Sequence, residues 1–289
     1  MSADMAVDAS RTEIEPGVEL HYRESGAGIP IVFIHGLTGD LGSWGEQVPA
    51  FEEDYRTIIY SRRFSRPNHN DLQGSPEHSV LVDAIDLSRL LDRLDAEPAV
   101  LIGSSYGAYT ALALGMAQPA KVRAMVLCEP PVLSWADLVK EGKALREDFE
   151  RNTVYPAREA FAQGNDKLAA QLYATGVLGG SGVGGMSSAA RARRFANTDA
   201  IKALALSKRE FIALDPAEAK KLSMPILLMS GQNTRPIFAS IFESASRLMP
   251  NATALRVPGA GHSVYREQPA VFNQLCRDFL AERLGQPVA

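Results

Sequence analysis

The segment Gly103-Ser104-Ser105-Tyr106-Gly107 constrains this chain more than any other part of it. It follows the apolar run Val100-Leu101-Ile102, which reads as the end of a buried strand, and it opens the helical run 108–118. A backbone that passes from strand to helix within five residues must reverse sharply. The pattern Gly-x-Ser-x-Gly supplies small residues at both ends of the reversal and holds the central serine in a strained conformation. Ser105 is thereby exposed above a sheet at a helix N-terminus, where amides and dipole favour a developing anion.

The remaining chain supplies a sheet of the kind such a turn needs. Short apolar runs bounded by Gly or Pro alternate with helical patterns, the signature of βαβ units around a mostly parallel sheet. Strands are predicted at 31–34, 56–60, 99–102, 124–128, 225–229 and 252–257. Val80, Ala84, Leu87, Leu91 and Leu94 recur at steps of four and three, predicting a helix that packs one face on the sheet and turns Asp83, Asp86, Arg89 and Arg93 away from it. Further helices are expected to end near Met249 and to span 269–284. Between 134 and 214 the alternation stops, and only charged amphipathic helical patterns remain. The expected architecture is an α/β core formed by 1–133 and 215–289, with 134–214 inserted as a helical cap or lid. Within that insertion Gly176, Gly179, Gly180, Gly182, Gly184 and Gly185 crowd together, which predicts a mobile loop able to act as a gate.

Composition narrows the function classes. Of 289 residues 46% are hydrophobic and 22% charged, enough to bury a core without disulfides and too apolar for a disordered chain. The net charge of −4 offers no general attraction to a phosphate backbone or an anionic membrane, so neither nucleic acid nor membrane is an expected partner. Cys128 and Cys276 lie too far apart for a metal-ligand pattern and read as buried free thiols of a reducing compartment. The first ten residues carry Asp4 and Asp8 and lack the basic start and apolar run of a secretion signal, and no run approaches about 18 apolar residues. A cytoplasmic protein is expected, with assembly as a homodimer left open.

Two further turns converge on Ser105. His35-Gly36-Leu37-Thr38-Gly39 directly follows the strand 31–34, and a glycine-flanked turn there can aim the Leu37 amide at the same point as the Tyr106 amide. Such a two-donor oxyanion hole matters, because loss of one donor costs about 10² to 10³ in rate. His35 is expected to be a structural hydrogen-bonding residue. Pro258-Gly259-Ala260-Gly261-His262-Ser263 follows the strand 252–257, at the sheet end where ligand-facing residues gather in open α/β folds, which makes His262 the candidate base. His21, His69 and His78 have no comparable setting.

The His-Gly turn at 35–36, the elbow around Ser105, the cap after the strand ending at Cys128 and the terminal Gly-x-Gly-His at 259–262 together resemble the α/β-hydrolase superfamily, from about Val18 to Leu284. The resemblance implies Ser105 as nucleophile, His262 as base and no cofactor. A serine at the elbow differs from the aspartate of dehalogenases and epoxide hydrolases of that superfamily. The triad acid departs from the common pattern, because Gly231-Gln232-Asn233-Thr234 stands where Gly-x-x-Asp is usual. Thr234 carries no charge to hold an imidazolium. Glu129, in Cys128-Glu129-Pro130-Pro131, stands at the end of the strand after the elbow helix. A carboxylate there is used by some haloalkane dehalogenases and by zearalenone-type lactonases, and the Glu-Pro-Pro turn resembles the latter.

The expected function is cleavage of a carboxylic ester or lactone through an acyl-enzyme, with Ser105, His262 and Glu129 as triad and the Leu37 and Tyr106 amides as oxyanion hole. Two alternatives stand beside it. One is hydrolysis of a carbon–carbon bond in a ring-cleavage product; the other is a hydrolase-like ligand-binding protein with weak activity, suggested by the missing acid at 234. The Gly-x-Gly-x-x-Gly match at 180–185 lacks a preceding strand and an acidic residue about 20 positions later, so no dinucleotide site is expected. Arg191, Arg193 and Arg194 are expected on a solvated helix face. Arg62 and Arg63 are expected near the pocket rim, with no role assigned.

Overall fold

A computed structural model describes residues 9–72, 77–180 and 187–285. Strands β1 (Ser10–Glu15), β2 (Val18–Ser25), β3 (Pro30–Ile34), β4 (Arg56–Tyr60), β5 (Ala99–Ser104), β6 (Val122–Cys128), β7 (Ile226–Gly231) and β8 (Ala252–Val257) form one eight-stranded sheet in the order β1-β2-β4-β3-β5-β6-β7-β8. The first hairpin and the β2–β4 pair are antiparallel, and every pairing from β4–β3 through β7–β8 is parallel. The helices of the first half are α1 (Val48–Phe51), α2 (Val80–Arg93) and α3 (Tyr106–Ala117). Between β6 and β7 lie α4 (Gly142–Phe149), α5 (Tyr155–Ala162), α6 (Asp166–Leu178), α7 (Ser188–Ala196), α8 (Thr198–Ala205) and α9 (Pro216–Ala219). The chain closes with α10 (Pro236–Leu248), α11 (Val264–Glu267) and α12 (Pro269–Leu284).

The period-two alternation of the central strands sorts their side chains onto two faces. Val32, Ile34, Leu101, Leu127 and Leu228 join the apolar faces of α2 and α3, while Ile31, Phe33, Val100, Ile102 and Met229 pack against Phe272, Cys276 and Leu280 of α12. Cys128 and Cys276 are free and buried on the α12 side. The chain steps from β3 to β4 on one flank and then to β5 on the other. This reversal opens a crevice beyond the C-terminal ends of β3 and β5, the usual ligand position of such sheets. The β1–β2 hairpin adds an edge that the periodicity did not indicate, because its strands bury little beyond Ile14 and Leu20 and otherwise carry charge.

The outer face expected of α2 is corrected by the structure. Asp83 and Asp86 are each 1% exposed, and they hold the arginines expected at the pocket rim. Arg62 pairs with Asp83 at 2.8 Å, Arg63 pairs with Asp86 and with Glu15, and His78 Nε2 lies 3.3 Å from Asp83. Burial opposes the charge on Asp83, but Arg62 and His78 outweigh it and hold the carboxyl down to about 2. Arg62 also reaches the Gly36 and Leu37 carbonyls and lies 4.7 Å from the centre of the Tyr106 ring, bracing the β3 loop against the elbow helix. Asp83→Asn should therefore destabilise the fold by about 3–5 kcal/mol, since it strands a buried guanidinium, and urea unfolding monitored by circular dichroism will measure it.

The described elements from Leu133 to Ala219 are all helical, with an apolar cluster of their own around Phe161, Ala170, Tyr173 and Ile201. Trp135 Nε1 donates to the Leu214 carbonyl at 2.8 Å, clasping the two ends of this segment. Of the glycine-rich stretch expected to be mobile, 181–186 lie outside the described residues, and with them most of the Gly-x-Gly-x-x-Gly match. Gly176 is a packing position inside α6, because a Cβ there would meet Thr153 Oγ1 at 2.1 Å. Among the described residues no helix is long and apolar enough to cross a membrane, and no cluster of potential ligands could hold a metal ion.

Candidate active site

The sharp reversal expected at Ser105 is present. The residue has φ 53° and ψ −122°, a strained conformation for a non-glycine residue, worth about 1–3 kcal/mol. Gly103 and Gly107 permit it: a Cβ would lie 2.5 Å from the Ala108 nitrogen at the first and 2.0 Å from the Ile34 carbonyl oxygen at the second. The Ser105 amide donates to the Cys128 carbonyl at 2.7 Å, and its carbonyl accepts from Tyr109 at 3.0 Å, so the turn is tied both to β6 and into α3.

Across the crevice the β3 loop comes close because residue 36 has no side chain; a Cβ would stand 3.3 Å from the Ser104 carbonyl oxygen and 3.4 Å from Ser105 Cβ. No turn, loop or side-chain hydrogen bond among the described residues takes up the Leu37 or Tyr106 amide. His35 is fully buried: Nδ1 meets the Gly36 carbonyl at 2.8 Å and Nε2 accepts from the Arg62 amide at 3.0 Å. Burial, with Arg62 adding to it, pushes this imidazole down to about 3, so it remains a neutral support for the loop.

His262 sits on the loop after β8, and that loop packs directly on the end of β7. A Cβ at Gly231 would fall 2.1 Å from the Gly261 carbonyl oxygen, so only glycine allows the approach. Glu267 fixes the loop on both sides of the histidine, accepting from the Gly261 amide at 2.7 Å and the Ser263 amide at 3.0 Å. The ring rests on Phe238 with centroids 4.5 Å apart. Its Nδ1 is 2.5 Å from Glu129 Oε2, and its Nε2 is buried with no hydrogen-bond partner among the described residues.

Glu129 is 2% exposed and occupies positive φ at the end of β6. Oε1 accepts from the Ser230 hydroxyl at 2.8 Å and the Gly231 amide at 2.9 Å; Oε2 accepts from the Thr234 hydroxyl at 2.7 Å as well as facing His262. Thr234, at the place where an aspartate is usual, thus donates to the carboxylate that faces His262. The supporting roles of Ser230, Thr234 and Glu267 were not read from the sequence. The usable signal was a hydroxyl residue where an acid was missing and a glutamate five residues beyond the histidine.

Ser105, Tyr106, Leu37 and His262 line one cavity of about 770 Å³, mouth included, walled by apolar side chains such as Phe149, Phe211 and Phe238. Two arginines line it too. The expectation of a solvated helix face for the α7 cluster holds for Arg191, which is exposed, and is corrected for its neighbours. Arg193 pairs with Asp40 at 3.2 Å, and Arg194, only 8% exposed, faces the cavity. Arg266 stands at the same cavity, bonded to the Tyr265 hydroxyl.

This strand–elbow–helix frame defines an α/β hydrolase, and residues 29–269 match the family described as alpha/beta hydrolase fold, to which the chain belongs. Its relatives include the sn-1-specific diacylglycerol lipase ABHD11 of Mus musculus, 27% identical over 87% of this chain and 80% of that protein. Among solved structures, the carboxylesterase CesB (YbfK) of Bacillus subtilis superposes with a TM-score of 0.72 at 21% identity, covering 95% of this chain and 92% of that one. Est816, described as an N-acyl homoserine lactone degrading enzyme, superposes with a TM-score of 0.74 at 19% identity over 93% of this chain and all of its own.

Proposed function

We propose that this protein is a serine hydrolase that cleaves a carboxylic ester or lactone through an acyl-enzyme. The observation that carries the reading is the pairing of His262 Nδ1 with the buried Glu129 carboxylate, which leaves Nε2 free on the cavity that Ser105 lines. Glu129 fixes the tautomer with the proton on Nδ1, so Nε2 presents its lone pair to the serine. As Ser105 Oγ attacks the acyl carbon, Nε2 takes the hydroxyl proton, and the imidazolium that forms is stabilised by Glu129. The carbonyl oxygen becomes an oxyanion held by the Leu37 and Tyr106 amides. Collapse of this intermediate expels the alcohol, or opens the lactone, with the proton returned from Nε2. Water activated by the same nitrogen then attacks the acyl carbon and frees Ser105.

The helices over the crevice serve in this reading as a cap that shapes the acyl and alcohol pockets. The names of the lipase, the carboxylesterase and the lactone-degrading enzyme support ester chemistry. The rival of a binding protein drew on the absent acid at 234, and the hydrogen bonds converging on Glu129 weigh against it. A fluorophosphonate probe, which reports an activated serine, should label Ser105, and the labelled protein should lose turnover of short 4-nitrophenyl esters in proportion. Absence of labelling, or turnover confined to a vinylogous diketone, would reject the reading.

A further inference from the structure

Arg194 poses an energetic problem that the proposed acyl transfer does not solve. It is buried, it lines the cavity beside the serine, and no salt bridge or hydrogen bond among the described residues engages its guanidinium, whose Nε is enclosed without a partner. An isolated buried cation is costly, and folds keep one only where something pairs with it. The acids described above are engaged by other groups. Asp40 takes Arg193, the Asn197 side chain and the Gly42 amide; Glu267 takes the amides on either side of His262; Glu129 takes the imidazole.

The placement of Arg194 is built in. Asn197, fully buried, bonds Asp40 with its amide nitrogen at 3.0 Å and accepts from the Arg66 amide at 2.7 Å, while Arg193 holds the other oxygen of Asp40. These contacts fix the roll of α7 and turn residue 194 inward. Arg266 at the same cavity adds a second positive charge and no compensating negative one. Burial and then this neighbour push the Arg194 guanidinium down to about 10, so it still carries its charge at neutral pH.

We infer that the cavity takes an ester or lactone bearing a carboxylate, which pairs with Arg194 while the scissile carbonyl lies at Ser105. This deepens the serine-hydrolase reading and rests on it. A planar guanidinium matches a carboxylate through two parallel hydrogen bonds, and one buried positive charge is neutralised by one negative charge. Arg266 is exposed and hydrated, so Arg194 is the one buried charge to be matched, and a dianionic phosphate would bring surplus charge against the phenylalanine walls.

Matched esters test the inference, each pair differing by a carboxylate in place of a methyl group. Mono-4-nitrophenyl glutarate against 4-nitrophenyl valerate places the charge on the acyl side; carboxymethyl butyrate against ethyl butyrate places it on the alcohol side. In one pair the acid-bearing ester should show the higher kcat/KM, and Arg194→Gln should lower that pair's selectivity ratio about 10- to 100-fold, mainly through KM, the range for a lost charge-assisted hydrogen bond. Arg194→Lys should retain part of the ratio. Should Arg194→Gln not fold, the intact protein still decides: glutarate should protect Ser105 from the fluorophosphonate where pentane-1,5-diol does not. Selectivity ratios near one in both pairs, equal losses for charged and neutral esters in Arg194→Gln, or no protection by glutarate would each overturn the carboxylate subsite. Ser105 labelling accompanied by any of these leaves the serine-hydrolase reading standing, whereas no labelling and no turnover of all four esters would remove both.

Discussion

Ser105→Ala should lower kcat by about 10⁴ to 10⁶, the loss typical of removing a triad nucleophile, while the protein remains folded. No protein hydrogen bond among the described residues depends on the Ser105 hydroxyl, and alanine accepts the same backbone bonds to Cys128 and Tyr109. The unfolding free energy should therefore change by no more than about 0.5 kcal/mol. Chromogenic ester kinetics, fluorophosphonate labelling and thermal unfolding on one preparation separate the two effects. Labelling that persists, transferred to Ser104, would show that the wrong serine has been placed at the elbow.

Glu129→Gln is expected to lower kcat by about 10² to 10⁴, by analogy with amide substitution of a triad carboxylate. The hydrogen bonds give the reason. The Gly231 amide can only donate, so the glutamine carbonyl must take the Oε1 position, and the NH₂ group is left facing His262. An NH₂ donor there demands a bare Nδ1, which moves the imidazole proton to Nε2 and leaves nothing to accept the serine proton. Thr234→Asp in the wild-type background should also reduce activity, because it sets a second carboxylate within hydrogen-bond reach of Oε2. Combined with Glu129→Gln the same change should recover part of the rate, since the aspartate then faces the imidazole without a competing charge. Rates and pH profiles of the three variants read this out. More than half the activity surviving in Glu129→Gln would mean that no carboxylate holds His262.

Much of the site was legible in the sequence because turns are written in residues that only turns require. Gly103 and Gly107 bracket the elbow and Gly231 admits the histidine loop onto β7, each a backbone approach that a side chain would block, while at Gly36 a Cβ would stand tight against the Ser104 carbonyl. The meeting of Glu129 with His262 was suggested by the uncharged Thr234 together with the strand-end position of Glu129 and the superfamily resemblance. The arginines were not legible. Arg62 is matched by Asp83 from another element, and Arg194 turns inward only because Asn197 and Arg193 are held by Asp40, so their burial is decided by helix roll and long-range pairing, which local periodicity does not encode. The β1–β2 hairpin escaped for a related reason: an edge strand buries too few side chains to leave an alternating signal.

The bond from the Ser105 amide to the Cys128 carbonyl has a mechanical meaning. Cys128 immediately precedes Glu129, whose own amide is bonded to the Met229 carbonyl, so hydroxyl and carboxylate ride on one stiff block of parallel strands and move together when the sheet flexes. Of the three side chains, only the imidazole is mounted separately. Within the proposed triad the adjustable part is thus the loop carrying His262, and Glu267, gripping the amides before and after that residue, restricts the freedom this part would otherwise keep.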